Sequence, residues 1–94
     1  GGVAPAARAD PEGRFGVGDA VGFAGEELIA WGDPLETLAA VIETLSAEAE
    51  LLTCITGGEV PVSDEQIAPL APEGVEVEVA YGGQDSWWWL LAAE

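Results

Sequence analysis

The sequence has no histidine and no lysine, and a single cysteine. Each absence removes a class of chemistry. Without imidazole there is no Ser-His-Asp or Cys-His machinery and no histidine-ligated zinc site. Without lysine there is no Schiff base and no phosphate-loop cation. Cys54 has no second thiol to pair with, so packing alone must hold the fold. No base or cation lies near it in sequence to activate it as a nucleophile, and a buried inert thiol is the expectation. No apolar run approaches the roughly 18 residues that cross a bilayer, and no basic leader precedes a hydrophobic stretch. A soluble, cytoplasmic protein without membrane insertion is expected.

Positive charge is nearly missing too. Eighteen acidic residues face only Arg8 and Arg14, a formal net charge of −16. Such a chain repels nucleic acid and anionic lipid, whose binding depends on Lys and Arg. Two readings of the charge stand side by side. It is a solvated acidic surface that keeps the protein soluble and suits a salt-adapted host, or it steers the chain toward a basic partner.

What is present is enough apolar material for a core: 49% of the residues are hydrophobic, and 94 residues make one domain. Residues 1–19, GGVAPAARADPEGRFGVGD, are rich in Gly and carry no apolar periodicity, so they read as a linker or disordered lead-in. The Gly-Gly start suggests a piece of a longer protein. GRFGVG has glycines spaced faintly like a phosphate loop, but no strand precedes it and no Lys accompanies it.

Order is expected over residues 20–94. AVGFA (20–24) and LIAW (28–31) flank Gly25-Glu26-Glu27 as a hairpin. In DPLETLAAVIETLSAE, Asp33 is an N-cap, Pro34 fits the first helical position and Glu36 completes a capping box. Leu35, Leu38, Ile42 and Leu45 fall at helical spacing. LLTCIT (51–56) reads as a central strand covered on both faces. Ser63 and Gln66 repeat the capping logic for a helix that Pro69 and Pro72 hold to about two turns. Val75, Val77 and Val79 alternate with Glu76 and Glu78 as a strand with one wet face. Trp87 to Ala92 form the last strand. The order is ββαβαββ, a small α+β fold: a mixed sheet with three strands running one way, the hairpin partner and last strand running against them, and two helices on one or both faces.

The remaining carboxylates each have a structural place in this scheme. Asp64-Glu65 opens a helix, Glu76 and Glu78 alternate on a strand, and Glu26-Glu27 turns a hairpin; no run resembles a calcium loop. No catalytic residue and no metal site is therefore expected. The functional candidates are aromatic. Strict alternation puts Trp87 and Trp89 on one face and Trp88 on the other, so at least one indole is left for a partner, unless helices hide all three.

Three stretches together resemble a known family. GDAVGFAGEELIAWGDPLETLAAVIETL, ELLTCITGGEVPVSDEQI and the turn Tyr81-Gly82-Gly83-Gln84 are similar, in that order, to the C-terminal domain of the fatty acid kinase FakA family, which is related to dihydroxyacetone kinase DhaL proteins. The resemblance covers residues 18–94. It implies a bacterial cytoplasmic kinase whose ATP and Mg²⁺ sites lie in another domain, so no cofactor is expected in this stretch. It also implies a role for this domain in engaging a DegV-type fatty-acid-binding protein, or neighbouring domains of its own chain. On that basis Gly82, Gly83, Gln84, Trp87 and Trp89 are the expected partner-binding residues, with Trp87 and Trp89 standing where the family carries aromatics. Asp85, Ser86 and Trp88 depart from the family's Pro-containing turn. A structural half-domain that packs on a neighbouring lobe, and a stand-alone phosphatase-like enzyme, are the competing readings.

Overall fold

The computed structural model describes all 94 residues. Six strands and two helices, the second short, follow one another: β1 (Gly2–Pro5), β2 (Ala20–Ala24), β3 (Glu27–Gly32), α1 (Pro34–Ser46), β4 (Leu51–Thr56), α2 (Asp64–Ile67) with a 3-10 turn over Ala68–Leu70, β5 (Glu76–Tyr81) and β6 (Trp89–Ala93). The strands form one mixed sheet in the order β3-β2-β1-β6-β4-β5. This is the small α+β fold that the periodicity implies.

The first strand is a correction to the expected lead-in. Gly2–Pro5 lies in the middle of the sheet, antiparallel to both β2 and β6, and the Val3 side chain is fully buried. Four residues are too few to show a period, and Gly, Ala and Pro carry little β propensity. The strand is made by its two neighbours, which satisfy its backbone groups. Only residues 6–19 form a loop, and that loop is tied down: the Ala6 amide donates to the Asp19 carbonyl at 2.8 Å and the Gly18 amide to the Ala6 carbonyl at 2.9 Å.

The hairpin, α1 and the two-turn second helix form where expected. The β2–β3 loop is Gly25-Glu26, with φ 63° at the glycine, the conformation a tight two-residue hairpin requires at its first position. The Asp33 carboxylate accepts from the Glu36 amide at 3.0 Å and Pro34 occupies the first turn of α1. Gln66 Oε1 accepts from the Ser63 amide at 3.3 Å at the start of α2. Strand directions follow the expected scheme. β4 and β5 are parallel; β6 runs against β4 and β1, and β2 runs against β1 and β3. Four strands therefore point one way, and β2 and β6 point the other.

Both helices lie on one face of the sheet. Leu38, Val41 and Ile42 of α1 and Ile67 of α2 join Val3, Leu52, Cys54, Trp89 and Leu91 in one buried cluster. On β4 the alternation is clean: Leu52, Cys54 and Thr56 are buried, whereas Leu51, Thr53 and Ile55 are only half-buried. That corrects the expectation of a strand covered on both faces. Its apolar run has a helix-covered side and an open side.

Candidate docking face

The side of the sheet away from the helices is assembled by register. Gly2 stands opposite Phe23 on one neighbour and Leu90 on the other; Ala4 stands opposite Val21, and Val21 opposite Trp31. Leu90 is paired with Ile55, and Ile55 with Ala80. Because paired residues share a face, Phe23, Val21, Trp31, Leu90 and Ile55 line one surface. Glu76 and Glu78, opposite Leu51 and Thr53, end it at the β5 edge. Trp87 reaches the same surface from outside the strands. Its ring lies over Gly2, where a Cβ would come within 2.7 Å of the indole, so only glycine lets the ring lie down there. Phe23 meets it edge-on, with centroids 5.9 Å apart and planes at 73°.

No helix covers this surface. Trp31 remains 42% exposed, which is large for an indole in a folded domain. Val21 within this surface is nevertheless buried, and from the loop over residues 6–19 the Arg14 guanidinium sits 5.5 Å from the Trp31 ring centroid. Asp10 receives the Arg14 Nε–H and Glu12 lies 3.3 Å from Arg14 Nη2. The hydrogen bond from Arg14 holds the Asp10 carboxyl below its ordinary pKa, and Asp10 in turn raises that of Arg14.

The residues expected to bind a partner divide. Trp89 is a correction: it is 0% exposed and belongs to the helix-side core. Strict alternation would have placed it with Trp87, but β6 begins only at Trp89 and the chain bends at Trp88, so Trp87 and Trp89 end on opposite faces. Trp88 is half-buried, packs on the core and meets Trp89 edge-on at 6.0 Å. Trp87 alone of the three lies on the open surface.

Gly82, Gly83 and Gln84 have a structural task. Gln84 Nε2 donates to the Ile55 carbonyl at 3.0 Å, and the Gly82 and Gly83 amides donate to the Thr56 carbonyl at 2.8 and 3.1 Å. The Gly58 amide returns a bond to the Gln84 carbonyl at 3.1 Å, and the Gly57 amide one to Trp88 at 2.7 Å. The turn thus pins the ends of β4, β5 and β6 together, and Gly83 takes the left-handed φ of 68° that lets it do so. Beside it lies a shallow depression of about 430 Å³ between Glu59, Asp85 and Trp88.

Cys54 is buried beneath the helices, and burial together with the Asp64 charge pushes its thiol up to about 12. No three His, Cys, Asp or Glu side chains converge where a metal ion would sit. No helix is long and apolar enough to cross a membrane. What sequence reasoning missed is the contribution of Val21, Phe23, Leu90 and Ile55, whose common face depends on a pairing of β1 with β6 that no local pattern announces. Arg14 was missed for the same reason, since its partner is seventeen residues away in sequence.

No protein-family model and no curated protein matches the chain.

Proposed function

We propose that the chain is a non-catalytic docking and regulatory domain, and that its place is at the C-terminal end of a cytoplasmic fatty acid kinase of the FakA type, where it engages a DegV-type fatty-acid-binding protein. The observation that carries the docking part is the helix-free face: an aromatic and aliphatic surface, half-buried by its own side chains, bordered by carboxylates. Apolar surface of this kind on a small domain marks an interface. The family part rests on the resemblance of residues 18–94, including the Gly82-Gly83-Gln84 turn. ATP and Mg²⁺ would act in another domain, and this one would contribute contact.

A second reading is favoured by the same surface: the face packs on a neighbouring lobe of the same chain. The two part company in a binding experiment. A DegV-type protein is expected to retain this domain on a column, and Trp87→Ala and Trp31→Ala are expected to weaken retention while circular dichroism stays unchanged. Retention undiminished by both substitutions defeats the docking reading at this face. Retention only by the isolated neighbouring lobe favours the second.

A further inference from the structure

The structure holds an example of the contact that the open face makes. Arg14 lies on Trp31 with its guanidinium flanked by Asp10 and Glu12, yet remains 41% exposed. Both ion pairs in the molecule belong to this one side chain. The other carboxylates, Glu76 and Glu78 on the open face among them, have no cation within reach. A second copy of the chain is a poor occupant, because it would bring a further sixteen negative charges against the first. Charge complementarity demands the opposite sign. Chemistry also chooses between the two cations: a planar guanidinium stacks on an indole and forks to carboxylates, whereas an ammonium is a compact, strongly hydrated point charge.

We propose that the helix-free face binds a basic protein surface that presents arginine side chains, with one partner guanidinium displacing Arg14 from Trp31 and others meeting Glu76 and Glu78. This rests on the docking reading given above and supplies the chemistry of the partner. Residues 6–19 are then an internal competitor. The loop shields Trp31 in the free domain and gives it up when a better-placed arginine arrives, while the apolar strip from Phe23 to Leu90 supplies the desolvated centre that an interface needs.

The experiment uses the 94-residue chain and three synthetic peptides of alternating residues: Arg-Leu, Lys-Leu and Glu-Leu. Binding is followed by titration calorimetry and by the shift of the Trp31 indole N–H. The Arg-Leu peptide is expected to bind about fivefold more tightly than Lys-Leu, the worth of one stacked guanidinium, and Glu-Leu is expected not to bind. Trp31→Ala should abolish the arginine preference. Arg14→Gln should tighten binding by a few-fold, whereas Arg8→Gln, with the same change in charge but no stack to vacate, should leave the Trp31 response unchanged. Equal affinity for arginine and lysine peptides overturns the proposal. So do equal effects of Arg14→Gln and Arg8→Gln, or sedimentation showing that the domain covers this face by self-association. If a DegV-type protein is retained while the arginine preference is absent, the arginine proposal fails and docking stands; if neither binds, both fail.

Discussion

Trp87 and Phe23 meet edge-on at 5.9 Å on the side of the sheet away from the helices. They come from opposite ends of the chain, one before the last strand and one in the second. Trp87 covers Gly2, the register partner of Phe23, and neither ring belongs to the helix-side core in which Trp89 is buried. Two adjacent aromatic clusters therefore sit on opposite sides of one sheet, and substitutions two residues apart should act on different properties.

Trp89→Ala is expected to cost about 3–5 kcal/mol, the usual loss for emptying a buried aromatic site. Trp87→Ala should cost roughly 1–2 kcal/mol, from part-burial and one edge-on pair. Urea denaturation of the two variants measures both. Equal losses would mean that the bend at Trp88 does not separate the rings.

The glycine-glutamine turn should answer as a clamp. Gln84→Ala removes a bond to the Ile55 carbonyl and is expected to cost about 1 kcal/mol. Gly83→Ala forces a side chain into a left-handed position for about 1–2 kcal/mol. Hydrogen exchange at Gly57 and Gly58 should speed up in both variants. Unchanged protection there would show that the turn does not hold the ends of β4 and β5.

Deleting residues 1–5 should unfold the domain, because it strips the middle of the sheet and exposes one edge each of β2 and β6. Circular dichroism and one-dimensional NMR would report the loss. A shortened chain that keeps its dispersed spectrum would restore the view of this segment as a lead-in.

Cys54 should resist alkylation at pH 8 in the native state and react at once in urea. Its thiol is raised from 9.0 to about 12 by burial first and the Asp64 charge second. The stabilisation from keeping it neutral is whole below about pH 9, where the unfolded thiol is also neutral, and is lost as pH rises from there toward 12. Melting temperatures should accordingly fall above pH 9, and Cys54→Ser, whose hydroxyl does not titrate there, should remove that part of the decline.

Acid should release the Arg14 contact. Asp10 is held below its ordinary value of 3.8, first by the side-chain bond from Arg14. The contact is complete above that value and fades as pH falls through the lower, folded one. The Trp31 indole resonance should move in that window, and Asp10→Asn should remove the transition.

Much of the fold was legible because it was local. The cap at Asp33, the helical spacing of Leu38 and Ile42, and the alternation of Val77 and Val79 with glutamates each show within a dozen residues. The two directions of the strands were legible from the order of elements, because a helix between two strands returns the chain to run the same way. What escaped was set by distant pairing. Gly2–Pro5 becomes a strand only because β2 and β6 flank it, and Trp89 turns inward only because β6 starts one bend later than an unbroken alternation allows. The candidate face suffered from both effects: Trp87 was legible as an available indole, but its companions Phe23, Val21 and Leu90 are neighbours only across the sheet.

The strand order has a consequence for how the molecule comes into being. Within the sheet, strand β6 alone joins the β3-β2-β1 half to the β4-β5 half, and its residues are the last of these to leave the ribosome. Until they emerge, two incomplete ribbons wait with open edges, and every pairing that joins them spans tens of residues. High contact order of this kind slows folding and leaves the nascent chain open to misassociation. Like charges repel, so a net charge of −16 opposes contact between unfinished copies as it does between finished ones.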